Sequence, residues 1–117
     1  MKYIFCIAML ASACTAKNSS VEPDKLVGIW NLQPDTSSQS FFNGKNRLDY
    51  HRGYTMAAFD YTISNNVLIE TDRKNGEVYQ YDIIVLTDDS LTLKHMRSGH
   101  VLNYRKSKSA VIVRRPN

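Results

Sequence analysis

The sequence predicts an all-β fold, an antiparallel up-and-down meander that closes into a small barrel. Three observations predict it. From Lys25 onward, turn signals recur about every ten residues, the spacing of an all-β sandwich or barrel. No segment after residue 24 sustains the 3.6-residue apolar repeat of an amphipathic helix. Two hairpins, read independently, also agree on an inner face. Pairing across Asn65-Asn66 sets Ile63 opposite Leu68 and Tyr61 opposite Glu70. Pairing across Asn75-Gly76 sets Leu68 opposite Ile83 and Glu70 opposite Tyr81.

Composition fits one folded domain. The chain has 117 residues, 43% of them apolar and 22% charged, which is the balance of a globular protein rather than a disordered one. Seven tyrosines lean toward sheet. The formal charge is +4, unevenly spread. Residues 90–117 carry seven Lys/Arg and no acid, whereas residues 14–89 carry seven Lys/Arg against eleven Asp/Glu. The basic C-terminal end fits anionic lipid or an acidic envelope protein as partner, or a solvated tail that aids solubility.

The first twenty residues read as an address. Lys2 supplies a positive charge, Tyr3 to Leu10 form an uncharged apolar run, and Ala11-Ser12-Ala13 precede Cys14. That is the order of a secretory signal, and the apolar run is far short of the ~20 residues a membrane span needs. The small residues before Cys14 resemble a lipobox, although Ala11 stands where leucine is usual and Leu10 is displaced by one. The expected organisation is a lipoprotein-type signal peptide over 1–13, a lipidated Cys14 opening a flexible tether over 14–24, and a β domain over 25–117 ending in the basic tail. Acyl chains on Cys14 would make the membrane a partner, at roughly 0.8 kcal/mol per buried CH₂. The expected location is the cell envelope, at the outer membrane, with the side left open. Cys6 and Cys14 are the two cysteines, so the domain has no disulfide and no cysteine-based metal site.

Within the domain, Leu26 to Leu32 is a first apolar strand, closed by Gln33-Pro34-Asp35. Asn43-Gly44 signals a tight turn, and Lys45 to Tyr54 is the least readable stretch. Strands then follow over Met56–Ser64, Val67–Thr71, Glu77–Leu86, Leu91–Met96 and Val101–Lys106. Pairing across Ser98-Gly99 sets Leu93 opposite Tyr104 and His95 opposite Leu102. The Asp88-Asp89 turn fits only if it is longer or bulged, because strict pairing puts Leu93 opposite Ile84 and out of phase with Ile83.

Lys25-Leu26-Val27-Gly28-Ile29-Trp30-Asn31-Leu32 resembles the Gly-x-Trp first strand of lipocalins and of bacterial lipocalin-like proteins. Tyr61-Thr62-Ile63, Tyr81-Asp82-Ile83, Leu86 to Leu93 and Asn103-Tyr104-Arg105 resemble the same bacterial group. The resemblance covers residues 25–32 and 56–106. It implies a compact antiparallel barrel closed by Gly28 and Trp30, with Arg105 packed on the indole. The chain departs from the family in its short mature length, its unmatched 33–54 region and its lack of disulfides.

The sharpest candidate for function is Glu70 between two phenols. A carboxylate on an inner face must be hydrogen-bonded, protonated or wet, and Tyr61 and Tyr81 are placed to satisfy it. Tyr61, Glu70, Tyr79, Tyr81, His95 and Tyr104 are the candidate ligand-binding residues, with a purely structural hydrogen-bond set as the alternative. Asp60 is a further residue that could carry function, whereas His51 and His100 read as solvated surface. No histidines share a metal-ligand spacing with a carboxylate, and no phosphate loop, nucleophile elbow or catalytic carboxylate pair is present. Nucleic acid is not an expected partner, since Tyr104 is the lone aromatic in the basic end. The favoured reading is a non-enzymatic binding module for a small, partly apolar molecule, with no cofactor. The alternative is a protein-interaction lipoprotein, an envelope inhibitor or assembly accessory, that uses its loops and basic tail around a filled barrel.

Overall fold

The computed structural model describes residues 21–108. The expected signal peptide over 1–13, the expected lipidation of Cys14, the expected tether up to residue 20 and the basic tail after Lys108 lie outside the described residues. A short 3₁₀ turn at Pro23–Leu26 leads into eight strands: β1 Gly28–Gln33, β2 Ser38–Phe42, β3 Asn46–His51, β4 Tyr54–Ser64, β5 Val67–Asp72, β6 Val78–Leu86, β7 Ser90–His95 and β8 Val101–Lys106. Each pairs antiparallel with its sequence neighbour, and β8 returns to β1 to close the barrel. Closure leaves no free sheet edge.

The hairpin register follows from turn chemistry. Asn65 and Asn66 both take positive φ, as a tight two-residue turn requires, and Ile63 faces Leu68 with Tyr61 facing Glu70, as the sequence predicts. The Asp88-Asp89 turn is equally tight, and the ladder slips by one between Ile83 and Val85. That is the anticipated bulge, and it turns Ile84 outward.

Two other hairpins differ from expectation. Leu68 faces Tyr81 and Glu70 faces Tyr79, whereas the sequence reading paired them with Ile83 and Tyr81. Likewise Leu93 faces Leu102 and Leu91 faces Tyr104, and on the β8 side His95 meets His100 rather than Leu102. The cause is the same in both. Asn75-Gly76 and Ser98-Gly99 are the last two residues of four-residue loops, closed by Gly76 N–H to Asp72 O and by Gly99 N–H to His95 O. Each slip is two residues, so every side chain keeps its predicted face. The Asn43-Gly44 signal also moves: Asn43 and Asn46 close the turn around Gly44 and Lys45, and the Asn43 carboxamide accepts from the N–H groups of Lys45 and Asn46. The unread stretch 45–54 forms β3 and its turn, with Arg52 and Gly53 at positive φ.

One end of the barrel is closed. Leu26 and Trp30 are fully buried there, and the indole N–H donates to the Leu26 carbonyl at 2.8 Å. Val21 N–H donates to the Asn66 side chain, tying the entering chain to the β4–β5 turn. The expected Trp30–Arg105 contact is not formed. Trp30 pairs with Lys106, whose ammonium lies 4.6 Å from the ring centroid. Side-chain alternation decides this, because Tyr104 points inward and Arg105 therefore points out, opposite Asn31. Gly28 makes the room: a Cβ there would meet Lys106 Cε at 2.5 Å. Above Trp30 the interior is packed with Phe42, Leu68, Ile83, Leu91 and Leu93.

Candidate functional site

Midway up the barrel the packing changes from apolar to ionic. Arg47 on β3 is 5% exposed and Glu70 on β5 is fully buried. Arg47 Nη1 donates to both carboxylate oxygens of Glu70, at 3.0 and 2.8 Å. Its Nε donates to Asp49 Oδ1 at 2.8 Å, and Nη2 donates to Ser40 Oγ at 3.3 Å and Tyr104 Oη at 3.1 Å. Ser40 donates in turn to Asp49. The guanidinium is also flanked by the rings of Phe42 and Phe59, at 5.3 and 5.5 Å. Such contacts suit arginine, whose planar head combines five donors with a weakly hydrated face.

The electrostatics follow from burial. Desolvation alone would lower the Arg47 pKa, but Tyr104, Glu70 and Asp49 around it push it well above its ordinary value, so the guanidinium is charged. Desolvation pushes the Glu70 carboxyl above the ordinary carboxylate range, with Arg47 opposing the rise. Burial lifts the Tyr104 phenol as well. No buried side-chain N or O among the described residues lacks a hydrogen-bond partner.

The predicted residues divide into three groups. Glu70 and Tyr104 meet at Arg47. Tyr79, Tyr81 and His95 form an aromatic wall nearer the open end, with Tyr81 and His95 in edge contact at 5.2 Å and Phe59 edge-on to Tyr79 at 6.1 Å. Tyr61 belongs to neither group. Its hydroxyl accepts from Gly44 N–H and its ring packs edge-on against Phe42, so it braces the β2–β3 turn and, although it faces Glu70 across the ladder, makes no hydrogen bond to it. The partner of Glu70 is thus Arg47, which sequence reasoning missed. Glu70 itself was the available signal, because an inward carboxylate asks for a cation.

Opposite the aromatic wall, a recess of about 210 Å³ opens above Arg47. Ser38, Ser40, Asp49 and His51 give it a polar side, and Leu32, Met56, Tyr50 and Tyr104 an apolar one. The His51 ring is held by Ser38, so His51 is part of this lining and not the plain surface residue expected. Met56 reaches the recess because the β3–β4 ladder slips by one where it sits. The recess can hold polar groups at its floor and an apolar body against its rim.

Comparison with solved structures finds this architecture elsewhere. A lipocalin-like protein from Bacteroides uniformis superposes with a TM-score of 0.60 at 15% identity, over 71% of this chain and 99% of that one. An uncharacterized protein from Bacteroides eggerthii superposes with a TM-score of 0.60 at 16% identity, over 70% and 99% of the two chains. No protein-family model and no curated protein matches the sequence. Eight antiparallel strands closed in sequence order, a buried first-strand tryptophan and these two likenesses establish the fold: the domain is a closed β-barrel of the lipocalin-like fold.

Proposed function

We propose that this chain is a lipid-anchored envelope protein whose barrel holds a small, partly apolar molecule at its open mouth, without catalysis. The observation that carries the reading is the recess above Arg47. Below it the barrel is filled, and at it an unfilled space lies between polar and apolar surfaces. A volume of about 210 Å³ is below the usual range of drug-sized pockets, which begins at roughly 300 Å³. The expected ligand is therefore small, and a long acyl chain does not fit beneath the ionic floor.

The anchor is compatible with this placement. Val21 and Lys108, the two ends of the described chain, both leave the barrel at its closed end. The seven residue-to-residue steps from Cys14 to Val21 span at most about 25 Å. Lipidation at Cys14 would hold the closed end near the bilayer and turn the mouth away from it. Metabolic labelling with palmitate tests this, with incorporation expected in the native chain and none in Cys14→Ala.

For the ligand, the test is titration with small fluorescent aromatics and a long-chain fluorescent fatty acid. Saturable uptake of the aromatics alone is expected. Uptake of none would end the small-molecule reading. A second reading, protein interaction, draws on the exposed apolar side chains at the open end, where Met56 is 65% exposed and Val78, Met96 and Val101 stand clear of the core. It predicts that polar replacement of Val78 and Met96, which do not line the recess, weakens a partner while leaving aromatic uptake intact.

A further inference from the structure

We infer that the mouth takes a small organic cation, an amine on an apolar body, with Asp49 as its counter-ion. The inference rests on the binding reading above and names the chemistry of the same recess. The floor holds two carboxylates and one guanidinium. Each of the three guanidinium nitrogens of Arg47 is already engaged: Nε by Asp49, Nη1 by Glu70, and Nη2 by Ser40 and Tyr104. An incoming anion has to compete with these partners and with two carboxylates, and no lysine or second arginine lines the recess. That disfavours the obvious reading of a buried arginine, a seat for a carboxylate or phosphate.

Asp49 is in the opposite position. Its Oδ1 accepts from Arg47 and Ser40, while among the described residues Oδ2 receives no hydrogen bond. Its side chain is 28% exposed, against 0% for Glu70, so it is the carboxylate that faces the recess. Glu70 holds the doubly bonded Nη1 edge of the guanidinium, which leaves Asp49 as the carboxylate with acceptor capacity to spare. Tyr104, pointing inward from β8, lines the recess beside it, and aromatic faces attract cations. Leu32 and Met56 offer an apolar seat for the rest of the molecule. The space of about 210 Å³ corresponds to roughly seven waters, which sets the size of the ligand.

The experiment is calorimetric titration of the unmodified full chain at neutral pH with three probes of one shape: phenethylamine, phenethyl alcohol and phenylpropionate. A charge-assisted hydrogen bond in this setting corresponds to about a ten- to hundredfold preference. The amine should bind tighter than the alcohol by that factor, with the carboxylate weakest. Asp49→Asn should erase the amine's advantage over the alcohol. An amine no tighter than the alcohol, or a carboxylate tighter than both, overturns the charge assignment while the binding mouth stands. Binding of none of the three overturns both. The comparison on unmodified protein decides the matter even if Asp49→Asn folds poorly.

Discussion

Arg47 and Glu70, 23 residues apart in sequence, meet in the barrel interior through two hydrogen bonds from one guanidinium nitrogen. This contact crosses the sheet from β3 to β5 and divides the barrel into a filled lower half and an open mouth. Everything proposed about ligand size and charge depends on that division.

The pair should show the asymmetry of a buried ion pair. Arg47→Met alone leaves Glu70 buried without its cation and should cost about 3–5 kcal/mol in denaturant unfolding, whereas Glu70→Leu alone leaves Arg47 with Asp49 and should cost less. The double variant Arg47→Met/Glu70→Leu removes both charges. It should be less destabilised than the sum of the single changes, and no worse than the larger of them. Additive losses would mean that the two residues act separately.

Stability should fall at alkaline pH. Burial, and then the charge of Glu70, push the Tyr81 phenol up to about 12 from an ordinary 10.0. A raised value in the folded state means the protonated form is favoured by folding. Its contribution is fully present below the ordinary value and is lost as pH rises through about 12. Urea midpoints should therefore decline over that window, and less steeply in Tyr81→Phe. Glu70 is shifted in the same direction by desolvation, so its contribution is fullest below its ordinary 4.5 and is lost as pH rises through its elevated value.

The closed end offers a spectroscopic check. Trp30 is the sole tryptophan and carries Lys106 over its ring. Lys106→Ala should change its fluorescence and cost about 0.5–2 kcal/mol, while Arg105→Ala should leave the emission unaltered. Emission that responds to Arg105 rather than Lys106 would restore the partner implied by the family resemblance.

Gly28→Ala should also destabilise the barrel. Gly28 has φ of +138°, a region that L side chains rarely adopt, and its missing Cβ is where Lys106 lies. The backbone component alone is about 1–3 kcal/mol. Truncating Lys106 in the same chain should recover only the steric part, leaving most of the loss.

The fold was legible in the sequence because turn chemistry is local. Asn65-Asn66 and Asp88-Asp89 fixed their hairpins, and the phase conflict at Ile83 and Ile84 announced the bulge. The four-residue loops at 73–76 and 96–99 were misread because Gly marks where a turn ends, not how long it is. Those slips left the inner face intact, so Glu70, Tyr79, Tyr81, His95 and Tyr104 were placed on the correct side. Arg47 was hidden for a different reason. Along β3 the inward positions are Arg47, Asp49 and His51, a polar interior that inverts the usual alternation and erases the strand's signature. The Trp30 partner was missed because family analogy named the basic residue one position from the inward one.

The most direct test of the binding mouth is residue-resolved NMR during titration with a small aromatic amine. Saturable shifts at Tyr50, Met56, Tyr104 and the Arg47 side chain, with Leu26, Leu68 and Leu91 unmoved, are the predicted result. Shifts concentrated at the closed end, or none at saturating ligand, would contradict it.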